Sequence, residues 1–124
     1  MHIYSFEKLN VWQESRVFVS SIYRITKKLP KSEKFGLINQ MQRAAISVPS
    51  NIAEGVSRTY LKEQSRFIEI AYGSLMELYC QLMIAVDLEY ITQEDLDAIK
   101  PDIQSISNKL NALKNSIIKR MKDV

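Results

Sequence analysis

At 124 residues the chain is long enough for one domain, residues 1–124, to bury a core without disulfide or metal staples. A hydrophobic share of 46% and a charged share of 25% match an ordinary globular protein, and three glycines and three prolines favour long helices over many short strands. The single cysteine, Cys80, excludes an intrachain disulfide, and the net charge of +3 is modest beside that of typical nucleic-acid binders.

Four helices are expected, about 10–29, 32–57, 60–90 and 93–122. In the first, Asn10 reads as the N-cap, Val11, Phe18, Ile22, Ile25 and Leu29 form an apolar seam thickened by Trp12 and Val19, and Pro30 ends the helix. The second carries Ile38, Met41, Ala45, Val48, Ile52 and Val56 on one side and a polar row of Arg43, Ser47, Asn51, Glu54 and Arg58 on another. Pro49 interrupts it, freeing the Ala45 carbonyl. Because the apolar phase is kept across the proline, a kinked continuous helix is expected over a break at Val48, with Ser47, Ser50 and Asn51 as candidates to satisfy the backbone.

The third helix is apolar nearly all round. Phe67, Ala71, Leu75, Leu78, Leu82 and Ala85 make its seam, while Ile70, Tyr72, Met76, Tyr79, Cys80, Met83, Ile84 and Leu88 cover its other sides. One helix of a four-helix monomer cannot bury so much surface, so self-association is predicted. The run Ile70–Val86 is 17 residues long and contains Glu77 and Gln81, too short and too polar for a membrane span. The fourth helix opens on Thr92-Gln-Glu-Asp95, a capping-box pattern, and repeats Leu96, Ile99, Ile103, Ile106, Leu110, Leu113 and Ile117 at steps of three and four. Pro101 is expected to kink or restart it. Short connections then give an all-α, antiparallel up-down-up-down four-helix bundle.

The segments FEKLNVW, LPKSEKFGLINQMQRAAISVPSNIAEG and FIEIAYGSLMEL resemble the four-helix bundle proteins encoded in intervening sequences of bacterial 23S rRNA genes, and the resemblance covers nearly the whole chain. It implies a cytoplasmic helical bundle and a ring-like homopentamer, but no settled biochemical role. The accessory proteins of diversity-generating retroelements are similar in fold and bind nucleic acid and a reverse transcriptase, though they are generally more basic than this chain.

Two surfaces are candidates for interaction. Ser74, Glu77 and Gln81 share a stripe of the third helix beside Gly73, and match the polar row of the second in residue type. Glu77 is expected to pair with Arg43 or Arg58, within a subunit or across an oligomer interface. The competing reading is that Arg43, Glu54 and Arg58 are solvated surface charges; the low charge of the third helix favours the interface.

The second candidate is charge gathered at an end. Residues 1–68 hold 11 basic and 5 acidic side chains, residues 69–102 hold one and 8, and residues 103–124 hold 5 and one. An antiparallel bundle would collect Arg58, Lys62, Arg66, Lys114, Lys119, Arg120 and Lys122 at one end, where RNA or DNA phosphates are the candidate partner. Lys27, Lys28, Lys31 and Lys34 would lie at the other end, beside the acidic start of the fourth helix. Ordinary helix-end charge placement is the plainer account of both clusters, and a protein-binding scaffold without nucleic-acid contact is the alternative function.

Enzyme chemistry finds little support in the residues. His2 is the only histidine, the Glu-x-x-His pairs of a bundle di-metal site are absent, and no glycine-rich phosphate loop occurs. Cys80 lacks a histidine to activate it and is expected to be a buried small hydrophobe. Glu54 and Glu77 are candidates for a carboxylate pair, with structural use favoured. Tyr72, Tyr79, Tyr90 and Trp12 read as core or interface aromatics. No catalytic, cofactor or metal role is assigned.

Overall fold

The computed structural model describes residues 1–123, which form α1 (Asn10–Thr26), α2 (Leu37–Val56), α3 (Leu61–Asp87) and α4 (Gln93–Lys122). Short 3-10 turns over Ser5–Lys8 and Lys31–Glu33 precede α1 and α2, and no strand occurs among the described residues. Each helix packs on its successor, α4 closes against α1, and the diagonal pairs stay apart. This is the expected four-helix bundle.

Individual contacts fix the antiparallel register. The Gln42 amide donates to Thr26 Oγ1 at 3.2 Å between α1 and α2, and the Ser47 and Ser74 hydroxyls meet at 2.8 Å between α2 and α3. Lys114 reaches Glu69 at 2.7 Å between α4 and α3. Lys109–Glu14 joins α4 to α1, and Lys28–Asp95 joins α4 to the turn just after α1, 14 residues further along both segments. Residues 1–12, the α2–α3 turn and the end of α4 therefore share one end of the bundle.

The periodic apolar residues make one core through its length. Ile22, Met41, Ile52, Ile68, Leu75, Leu78, Leu82, Ile106, Leu110 and Ile117 are fully buried, while Leu113 of the heptad pattern is half-buried. Burial of each such side chain contributes about 1.5–3 kcal/mol, which outweighs the weak helix propensity of the β-branched members. At the α2–α3 seam the packing is close. A Cβ on Gly55 would lie 2.8 Å from the Phe67 Cβ, so only glycine lets the two backbones approach this far.

Helix boundaries depart from the sequence expectations for local reasons. Asn10 is the first residue of α1 and not its cap; Leu9 takes that position without a side-chain cap bond. Helix α1 ends at Thr26, and α2 starts at Leu37, five residues later than the expected Ser32. The Lys31–Glu33 turn intervenes, and the Glu33 carboxylate accepts from the Leu37 N–H at 3.2 Å. Helix α3 ends at Asp87 in a Schellman motif: Glu89 is left-handed at φ 62°, and the Glu89 and Tyr90 N–H groups donate to Val86 and Ala85 carbonyls at 2.9 Å. The capping box of α4 forms, with Asp95 N–H donating to Thr92 Oγ1 at 3.1 Å and Thr92 N–H to Asp95 Oδ2 at 3.0 Å.

Helix α2 continues through Pro49 and α4 through Pro101; neither breaks. Asn51 donates from its amide to the Ser47 carbonyl and to Ser47 Oγ, both at 2.8 Å. It thus reinforces the turn around the proline but reaches a different carbonyl from the one the proline frees. Among the described residues no helix is long and apolar enough to cross a membrane.

Candidate interaction surfaces

The helical repeat divides α3 into an inner and an outer row, and the outer row holds the first surface. Ile70, Gly73, Glu77, Cys80 and Ile84 follow one another at steps of three and four, all exposed, with exposed Met83 and Leu88 alongside. Between Ile70 and Val86, Glu77 is the lone ionisable carboxylate or cation. Cys80 is therefore exposed and not the buried hydrophobe expected, because the expected all-round burial of α3 is not met within one chain. Tyr72, Met76 and Tyr79 are half-buried against the core. A Cβ on Gly73 would meet nothing within 4 Å, so nothing inside the chain requires glycine there.

Beside this row runs the polar set predicted for α2 and α3. Ser47 and Ser74 bond directly, and Asn51 ties into Ser47. Asn39, Gln40, Arg43, Ala44, Ser47, Ser74 and Glu77 line one shallow cavity of about 430 Å³. Arg43 and Glu77 share that cavity, yet among the described residues Glu77 makes no ion pair; its Oε1 accepts from Gln81 Nε2 at 3.3 Å. Gln81 is only 6% exposed, and its own carbonyl oxygen is buried without a partner. A buried acceptor left unpaired costs about 1–3 kcal/mol, and the site therefore favours an additional donor.

Arg58 is not a partner of Glu77 in this chain, and the register shows why. The turn between α2 and α3 places Arg58 beside the start of α3, where its guanidinium lies 4.7 Å from the centre of the Phe67 ring. Glu54 is exposed on the last turn of α2. It makes no ion pair among the described residues, and the three ion pairs there do not include Glu54, Arg43 or Arg58.

The second surface is the end of the bundle holding the chain start, the α2–α3 turn and the end of α4. Lys114 is paired with Glu69 at 2.7 Å. Arg58, Lys62, Arg66, Lys119, Arg120 and Lys122 have no carboxylate within ion-pair distance among the described residues. Arg66 stacks on Phe67 from 5.1 Å, so two guanidiniums share one ring. Lys62, Glu63, Ser65, Arg66, Glu69 and Met121 line a cleft of about 410 Å³ between α3 and α4.

Tyr60, in the turn, and Tyr4, in the N-terminal segment, are exposed at this end; the sequence reading passed over both. The signal for Tyr60 was present in its neighbours, since an aromatic between Arg58 and Lys62 lies outside the apolar phase of either helix.

At the opposite end only Lys28 is paired; Lys27, Lys31 and Lys34 have no carboxylate within ion-pair distance among the described residues. Lys28 reaches Asp95 at 2.6 Å, and this hydrogen bond, with the Thr92 N–H, holds the Asp95 carboxyl below its ordinary pKa. Along the α1–α4 seam toward the basic end, partial burial pushes Glu14 upward, but hydrogen bonds from Lys109 and Ser105 and the Lys109 charge outweigh it and leave its pKa lowered. Tyr90 donates to Glu33 at 3.0 Å, which raises the phenol pKa. No group of three or more histidine, cysteine, aspartate or glutamate residues able to hold a metal occurs among the described residues. Nothing in the arrangement points to catalysis.

Fold and surfaces together define a small all-helical bundle protein with one uncovered apolar helix face and one basic end. Residues 7–112 match the 23S rRNA-intervening sequence protein family over most of the chain, and the protein belongs to that family. It is also similar to the crystal structure of a protein of unknown function from the S23 ribosomal protein family of Bacteroides thetaiotaomicron VPI-5482. That likeness has 23% identity and a TM-score of 0.74, and covers 84% of this chain and 97% of the other. No curated protein matches the chain.

Proposed function

We propose that this protein acts by binding and not by catalysis. In this reading it is a cytoplasmic homo-oligomer assembled through the outer row of α3 and the adjoining polar set of α2, presenting its basic end to the phosphate backbone of RNA or DNA. The observation that carries it is the uncovered face of α3: Ile70, Gly73, Cys80, Met83 and Ile84 are exposed along a stretch, Ile70 to Val86, whose one charged residue is Glu77. A second copy packed there would bury these residues and give the open Gly73 a close neighbour. It would also bring a donor to the Gln81 oxygen and let an Arg43 reach a Glu77 across the interface, where a buried pair sets register more than it stabilises.

The assembly is tested by light scattering after size-exclusion chromatography. A pentamer gives five times the 14.4 kDa of one chain, and Ile84→Glu gives the single-chain mass with helical circular dichroism retained. A wild-type chain that is monomeric at micromolar concentration overturns this part. Backbone binding is tested by gel shift across a salt series. The expected result is steep weakening with salt and loss of binding on Lys119→Glu with Arg120→Glu. The net charge of only +3 favours one alternative, a scaffold that takes a different protein on the same face. A monomeric chain without a gel shift at low salt selects it.

A further inference from the structure

The two exposed tyrosines lie where the unpaired cations gather. Tyr60 is 71% exposed and Tyr4 62% exposed, although most of the chain's other aromatics contact the core or one another. Tyr60 caps α3 in an extended conformation, φ −96° and ψ 134°, between Arg58 and Lys62. Its turn is pinned on both sides. The Ser57 hydroxyl donates to the Glu54 carbonyl at 2.7 Å, and Gln64 Nε2 donates to the Arg58 carbonyl at 2.8 Å. The shared Phe67 ring holds Arg58 and Arg66 in place a turn away. An ordered turn therefore presents a tyrosine face to water between fixed positive charges.

Tyr4 belongs to an aromatic ladder at the same end. Its ring meets His2 edge-on at 4.6 Å and lies nearly parallel to Phe6 at 6.4 Å; Phe6 in turn meets Trp12 at 4.9 Å. The backbone is tied by Tyr4 N–H donating to Glu7 Oε2 at 2.8 Å. Phe35, at the other end, is more exposed still, at 87%, and lies apart from this cluster with the Lys34 ammonium 5.5 Å from its ring centre. It supplies an internal control.

We infer that the basic end is a binding site for single-stranded nucleic acid, in which Tyr60 and Tyr4 stack on unpaired bases while Arg58, Lys62 and Arg66 hold the flanking phosphates. Cations alone would serve a duplex equally well. Exposed aromatic faces add something only where bases are unstacked and accessible, and they do so with little sequence preference. This inference rests on the reading that the basic end binds a nucleic-acid backbone.

The test is fluorescence anisotropy of the full chain with a labelled single-stranded RNA of mixed sequence and with the duplex formed by its complement, across a salt series. The single strand is expected to bind more tightly. Tyr60→Ala with Tyr4→Ala is expected to lower single-strand affinity by about 30-fold or more, with the salt slope and the duplex affinity kept. Tyr60→Phe, which keeps the ring, and Phe35→Ala are expected to bind as wild type. Circular dichroism of the double variant establishes that it is folded. Equal, steeply salt-dependent binding of both probes that ignores the tyrosines overturns the single-strand inference and leaves backbone binding standing. Binding of neither probe at low salt overturns both.

Discussion

The α2–α3 and α1–α4 seams join the same kind of element in opposite ways. Across α2–α3, Gly55 lets the backbones come together against Phe67, and the Ser47 and Ser74 hydroxyls bridge them. Across α1–α4, the helices stand further apart. Two long lysines span the gap, and open grooves of about 440 and 300 Å³ flank Val17, Ser21 and Asp102. One seam is held by shape, which tolerates little change, and the other by flexible charge in partial contact with water, which tolerates much.

Truncation tests this most severely. Leu75→Ala, at a fully buried position next to the Ser74 hydroxyl, is expected to cost about 3–4 kcal/mol in chemical denaturation, while Ile99→Ala beside the open groove costs about 2 kcal/mol because water can occupy the space. Equal losses would mean that the two seams are packed alike. Gly55→Val adds atoms where a Cβ is already too close to Phe67, and about 2–3 kcal/mol of destabilisation is expected, visible as a lower melting temperature.

Ser47→Ala or Ser74→Ala each removes half of the hydroxyl pair and is expected to cost about 1 kcal/mol. The double variant should cost less than the two together, since it leaves neither hydroxyl facing the place of a lost one. The smallest effect belongs to the charged seam. Lys28→Ala is expected to change stability by about 0–1 kcal/mol and by nothing measurable at high salt. Its pH dependence has a definite sign. Asp95 has a lowered pKa in the fold, so its contribution is fully present above the ordinary carboxylate range and is lost as pH falls from there through the lowered pKa. The gap between wild type and Lys28→Ala should therefore close in acid.

The architecture was largely legible because periodicity survives context. Leu96 to Ile117 mark one face of α4 at steps of three and four, and all but the half-buried Leu113 are buried. Topology alone placed Lys27, Lys28, Lys31 and Lys34 beside the acidic start of α4, and of the four, Lys28 pairs there. Helix ends were less legible. The start of α2 depends on the Glu33 side chain reaching four residues forward, and the end of α3 on Glu89 accepting a left-handed conformation that glycine or asparagine would have signalled. The hydroxyl pair was readable as matching residue types, whereas of the two arginines expected to pair with Glu77, Arg43 or Arg58, neither does so within one chain. A register counted from the short Ser57–Tyr60 turn would have set Glu77 near Arg43 and carried Arg58 to the beginning of α3.

That short turn also bears on the order in which the molecule assembles. The α2–α3 contacts close a loop of a few residues, while the α1–α4 ion pairs join positions 67 and 95 residues apart. Loop-closure entropy rises with that separation, so the central hairpin condenses early and the terminal helices clasp one another late. Substitutions at Gly55 or Ser74 should then slow folding, and those at Lys28 or Lys109 should only hasten unfolding.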